Sequence, residues 1–215
     1  MISIPIAPES IVDSDFALIT HDHRDHCDEE TLLPMSRASG SCLFIGPQSV
    51  ILKLSSLGID QDRLKLAKTH IDLTNDIKVH VVPSAHPDVT GDSQSGWAAV
   101  GYVIEFQGVK IYHAGDTSLC DEVIDCLKGL GGIDLALIPV NERNYMRDKQ
   151  GILGNMTVRE AFFFTEEIGA KTLIPTHWDM FAQNQVYQDE IELLYKKLEP
   201  KFELKFGEYK LKTLC

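Results

Sequence analysis

Phe16-Ala17-Leu18-Ile19-Thr20-His21-Asp22-His23-Arg24-Asp25-His26 is the stretch on which the reading of this chain turns. Its first four residues are an apolar run of strand character, and its last six hold three imidazoles and two carboxylates. Nitrogen and oxygen donors at this density, placed at a strand end, suit one or two borderline divalent cations. If the strand continues through Asp25, its period of two puts His21, His23 and Asp25 on one face. In a helix His21 and His23 would stand roughly 200° apart. Only a strand end or a loop lets them converge. His26 breaks the alternation, so the chain must turn there, and Asp25 and His26 can then serve a second ion beside the first.

The segment Thr20-His21-Asp22-His23-Arg24-Asp25-His26 resembles the H-x-H-x-D-H signature of the metallo-β-lactamase superfamily of binuclear hydrolases. The resemblance continues through Ser84-Ala85-His86, through Tyr112-His113-Ala114-Gly115-Asp116-Thr117 and through Ile174-Pro175-Thr176-His177-Trp178-Asp179. These follow one another in the order in which that superfamily supplies its later ligands. The whole set is similar to the branch containing L-ascorbate-6-phosphate lactonase and covers about residues 13–210.

Composition permits this reading. With 215 residues and 44% hydrophobic content, one α/β domain spanning 1–215 with a real core is expected. No stretch approaches the roughly 20 apolar residues of a membrane span, and the N-terminus lacks a basic region followed by an apolar core. The expected location is the cytoplasm, with no membrane association. Five cysteines form no C-x-x-C pair, and their odd number argues for reduced thiols over a secreted disulfide framework. Cys27 adjoins the histidine motif but reads as a small buried residue, because histidines and carboxylates already fill two sites. A net charge of −12 argues against a nucleic-acid partner. It leaves room for a small anionic substrate, since two dications make a local site strongly positive whatever the global charge.

Along the chain, apolar runs alternate with helical patterns, without internal repeats. Strands are expected over 16–20, 42–45, 77–83, 98–106, 109–113, 135–140, 172–175 and 202–206, with Gln107-Gly108 as a hairpin turn. Helices are expected over 28–38, 48–57, 119–130, 158–168 and 188–198. Thr157 and Glu160 have capping-box spacing for the fourth, and Gly169 suits its C-terminal cap. The pattern suggests helices outside two facing sheets with loops gathered along one edge. The resemblance implies an αββα sandwich of that kind. It also implies several strands before the histidine motif, whereas only twenty residues precede His21 here. Some N-terminal strands of the first sheet are therefore expected to be lacking, leaving an unpaired edge that either a partner subunit covers or a truncated version leaves open, with a homo-oligomer the preferred expectation.

The resemblance implies seven metal ligands. His86 is the third histidine, completing a site with His21 and His23; His80 competes but lies within a strand, while ligands concentrate in loops. Asp116 follows Ala114-Gly115, where glycine permits close approach of backbone to a ligand, and would bridge two ions. His177 is the last ligand and completes the second site with Asp25, His26 and Asp116. Asp22 points away by alternation and would hydrogen-bond a histidine. His113 reads equally as structural or as a substrate contact, and Trp178 and Asp179 as pocket lining or as packing beneath it. His70, in a polar stretch, has no assigned role. In the segment 141–145, which leaves a strand, Asn141, Arg143 and Asn144 offer amides and a guanidinium suited to sugar hydroxyls or phosphate, or form a solvated loop.

Two divalent ions, zinc or manganese with iron a further candidate, would generate a metal-bound hydroxide near neutral pH and polarise the oxygen under attack. Asp25 and His26 are the catalytic candidates, Asp25 guiding the proton toward the leaving oxygen. The expected activity is hydrolysis of a small sugar-derived lactone. The alternatives are a phosphodiesterase or phosphatase acting on a small phosphorylated molecule, and a metal-binding protein without turnover.

Overall fold

The computed structural model describes residues 6–152 and 154–207. They fall into two compact units, one made of 6–67 with 206 and 207, the other of Lys68–Lys205.

In the first unit β1 (Phe16–Leu18), β2 (Leu43–Gly46) and β3 (Leu64–Leu66) form a parallel sheet in that order, connected by α1 (Glu29–Ala38) and α2 (Gln48–Ser56). Parallel neighbours require crossovers, and both crossovers here carry a helix. Ile19, Cys27, Leu32, Met35, Cys42, Phe44, Val50, Leu54 and Ile59 form the core beneath them. Gly46 is glycine by necessity, because a Cβ there would stand 2.7 Å from Val50 Cγ1. Among the described residues β1 pairs with β2 only, which makes it an edge strand.

The second unit is built on a sheet ordered β12-β11-β10-β9-β8-β5-β4. Its strands are β4 (His70–Asp72), β5 (Ile77–Pro83), β8 (Val100–Phe106), β9 (Val109–His113), β10 (Leu135–Pro139), β11 (Thr172–Thr176) and β12 (Glu203–Leu204). A small hairpin, β6 (Gly91–Asp92) with β7 (Gly96–Trp97), lies in the connection from β5 to β8. The expected turn joins β8 to β9: Gln107 and Gly108 both have positive φ, 50° and 79°, as a two-residue hairpin loop of type I′ demands. From β9 to β12 the pairing is parallel, and the helices between these strands are α3 (Asp121–Leu130), the short α4 (Tyr145–Lys149), α5 (Val158–Glu167) and α6 (Gln188–Leu198). The capping box at α5 is present: Thr157 Oγ1 accepts from Glu160 N–H while Glu160 Oε2 accepts from Thr157 N–H.

Strand direction decides where function can sit. β5 runs antiparallel to β8 and β8 antiparallel to β9, so β5, β9, β10 and β11 all point the same way. The loops that leave their C-terminal ends, Ser84-Ala85-His86, Ala114-Gly115-Asp116, Val140-Asn141 and His177-Trp178, emerge at one edge of the sheet. This is the edge at which open α/β sheets present ligand sites.

Candidate metal centre

In the first unit the donors are gathered by a turn. β1 ends at Leu18, so the strand does not continue through Asp25, and the shared face expected from alternation is not what brings His21, His23 and Asp25 together. Instead His23 C=O accepts from His26 N–H at 3.0 Å and from Cys27 N–H at 2.7 Å, folding 21–27 back on itself. His21, 2% exposed, packs its ring 4.7 Å from that of His23 and 4.2 Å from that of His26. Buried Thr20 was not singled out from sequence, yet its hydroxyl lies 3.1 Å from His21 Nδ1 and 3.4 Å from His26 Nδ1. One hydroxyl thus addresses the same side of two imidazoles and sets their orientation, as groups behind metal-binding histidines do. Asp22 contributes its main-chain oxygen to Lys53 Nζ at 2.9 Å.

The second unit supplies His86, Asp116 and His177. Gly115, at φ 63°, turns the chain after β9. The loops after β5 and β9 are laced together: Ser84 Oγ donates to Ala114 O, Ala85 N–H donates to Thr117 Oγ1, and Ser118 N–H donates to Ala85 O, at 3.0, 3.0 and 2.7 Å. Thr117 is fully buried and ties the His86 loop to the residue that follows Asp116. As a result Asp116 Oδ2 stands 3.8 Å from His86 Nε2 and 3.6 Å from His177 Nε2. His80, the competitor, stays within β5, opposite His70 in the register, with its Nε2 3.6 Å from Glu105 Oε2.

These separations suit an ion. Hydrogen-bonded partners sit at about 2.7–3.2 Å, whereas two donors each about 2.1 Å from one tetrahedral cation lie about 3.4 Å apart. Asp25 Oδ2 and His26 Nε2 are 3.4 Å apart, and both Asp116 pairs are slightly wider. The donor set of imidazole and carboxylate accommodates zinc, manganese or iron alike.

A family model described as a beta-lactamase superfamily domain matches residues 3–178. The chain belongs to the metallo-β-lactamase superfamily. A metal-dependent hydrolase of Methanoregula boonei is 32% identical to it over 189 residues, covering 83% of this chain and 74% of that protein. A protein of Salmonella heidelberg named "probable L-ascorbate-6-phosphate lactonase" is 27% identical over 214 residues, 93% of this chain, which spans 58% of that protein's length. Among solved structures, the isothiocyanate hydrolase from Delia radicum gut bacteria superposes with a TM-score of 0.73 at 16% identity, over 95% of this chain and 77% of the other.

Within this metallo-β-lactamase member, two residues expected to meet substrate are otherwise engaged. Asn141 is 1% exposed; its Nδ2 donates to His177 O at 2.9 Å and lies 3.2 Å from His177 Nδ1, while its Oδ1 accepts from Asn155. Its amide is spent inside the protein. Asn144 is the N-cap of α4, its Oδ1 accepting from Arg147 N–H and its Nδ2 donating to Glu142 Oε1. Residues 141–145, read as a loop, thus run directly into a helix that needs the cap. Arg143 is exposed beside them. His113 Nδ1 accepts from Gly115 N–H at 3.1 Å, which helps to shape the Asp116 turn. His177 packs against Phe181, ring to ring at 5.6 Å. Cys27 lies in the core of its unit, as read, and burial pushes its thiol above the usual range.

Proposed function

We propose that this superfamily member is a metal-dependent hydrolase that opens a small, sugar-derived lactone. The candidate ligands are His21, His23, Asp25 and His26 in the first unit and His86, Asp116 and His177 in the second. The observation that carries the reading is Asp116 Oδ2 placed at near-ligand distance from two histidine Nε2 atoms supplied by different loops. Zinc or manganese bound there would lower the pKa of water and polarise a carbonyl oxygen.

The remaining steps belong to side chains. Asp25 would take the proton from the attacking water and return it to the ring oxygen when the acyl C–O bond breaks. The product is a hydroxy acid, and atoms balance with one water consumed. Thr20 and Thr117 hold the imidazoles and the Asp116 loop so that little reorganisation accompanies the step. Arg143 is the candidate for an anionic group on the substrate. The similarity to the Salmonella protein supports the lactone reading. No described helix is long and apolar enough to cross a membrane, and we place the activity in the cytoplasm.

Elemental analysis of protein purified without added metal, followed by a panel of sugar lactones and phosphoesters with Zn2+ or Mn2+ restored, tests this directly. About two ions per chain with metal-dependent lactone opening supports it. Turnover of phosphoesters alone would replace it with the phosphodiesterase reading, and metal binding without turnover with a non-catalytic metal protein.

A further inference from the structure

We infer that Asn141 and Asn155 form a positioning pair that holds His177 for the ion it binds; the inference rests on the ligand assignment above. His177 has φ 63°, a left-handed conformation that a non-glycine residue holds only where its surroundings enforce it. Asn141 Nδ2 supplies that enforcement by donating to the carbonyl of His177 itself at 2.9 Å, and the same atom lies 3.2 Å from the ring Nδ1. The amide thus fixes the backbone turn that aims the imidazole, through the His177 carbonyl; with Nε2 given to an ion, Nδ1 carries the ring hydrogen and does not accept from Nδ2.

The orientation of that amide is dictated from behind. Asn155 main-chain N–H, which can only donate, meets Asn141 Oδ1 at 3.2 Å, and Asn155 Nδ2 meets it at 3.0 Å. Rotating the Asn141 amide would set donor against donor on this side and acceptor against acceptor at His177. Asn155 is 3% exposed, and its own Oδ1 has no hydrogen-bond partner among the described residues. A buried unmet acceptor is a penalty that an apolar side chain would avoid. The donor half of the Asn155 amide is therefore what the position uses. The frame around the pair is rigid: Val140 N–H donates to Thr176 O, Asn141 N–H donates to Met156 O, and Val140 bridges Met156 in parallel. The pair thus ties the ends of β10 and β11 to the segment before α5, and transmits that rigidity to one ligand.

The test is a competitive titration of metal-free protein with Zn2+ against a chromophoric chelator, run on wild type, Asn141→Ala, Asn155→Ala and His177→Ala. Asn141→Ala should weaken, about 10- to 100-fold, the same binding step that His177→Ala removes, and leave the other step within about twofold. Asn155→Ala, which keeps the main-chain donor, should weaken that step less. Both steps unchanged in Asn141→Ala, with one step lost in His177→Ala, would overturn the positioning role and leave the ligand assignment intact. Both steps unchanged in His177→Ala would overturn the two together. Should Asn141→Ala fail to fold, Asn155→Ala decides by the same step, with the melting temperature of the metal-free protein reporting any general loss of stability.

Discussion

Asp116 makes the strongest demand at the scale of single residues. Its carboxylate is buried beside His86 and His177, an arrangement whose desolvation a cation would offset. Asp116→Asn keeps the shape and removes the charge. We expect kcat/KM to fall roughly a thousandfold, the equivalent of several kcal/mol of ion-borne stabilisation, with an unchanged far-ultraviolet circular dichroism spectrum. Retained activity would remove Asp116 from the centre. Cys27 supplies the opposite control. Fully buried among Leu32, Met35 and Phe44, its thiol is pushed up by burial and serves packing. Cys27→Ala should leave metal stoichiometry unaltered while lowering stability by about 1–2 kcal/mol, measured by urea denaturation. His21, His23, Asp25 and His26 were legible because their chemistry is written in six consecutive residues. Thr20 and Thr117 were not, because a hydroxyl's role depends on which ring or amide the fold sets beside it. Asn141 and Asn144 misled for the same reason: an amide after a strand looks the same whether it faces substrate, a neighbouring histidine or a helix end.

At the scale of elements, two strands were readable to the residue, while β1, β2, β8, β10, β11 and β12 begin or end one or two residues from where the sequence puts them. β5 and β9 occupy 77–83 and 109–113 as expected, and α6 occupies 188–198. β3 and β4, three residues each, escaped because so short a segment shows no period and is extended only by pairing with β2 or β5. α4 escaped because five residues are too few for a helical pattern. The ends of the sheet opposite the ligand loops carry a pH signature. Asp134, just before β10, accepts from Lys171 Nζ at 2.6 Å and from Lys110 N–H at 2.8 Å, joining the starts of β9, β10 and β11. The hydrogen bond from Lys171 is the main cause that holds its carboxyl below the ordinary value of 3.8. A carboxyl lowered in the folded state contributes stability that is present above the unfolded pKa and disappears as pH falls through the folded one. Asp134→Asn should therefore lower the urea midpoint at neutral pH and converge with wild type in acid, once the pH has fallen through the lowered carboxyl value. The effect should be modest, because Lys171 is largely exposed. Equal differences at both pH values would show that the charge is not what matters.

For the whole molecule, bound metal should act as a ligand of the folded state. At a free ion concentration a hundredfold above Kd, one site adds about 2.7 kcal/mol, so a chelator should lower the melting temperature and Zn2+ or Mn2+ should restore it. An unchanged Tm would count against ordered sites. Four motifs in order were enough, by themselves, to place the chain in its superfamily and to nominate the ligands, because metal chemistry restricts residue type and local spacing more tightly than packing does. Only the tertiary structure decided that a turn, not a strand, gathers 21–27, and that a common direction of β5, β9, β10 and β11 carries His86, Asp116 and His177 to one sheet edge. It alone showed that Asn141 serves His177. Those outcomes rest on contacts between residues dozens of positions apart, whose geometry comes from strand pairing and loop lacing, and no local pattern of residues encodes them.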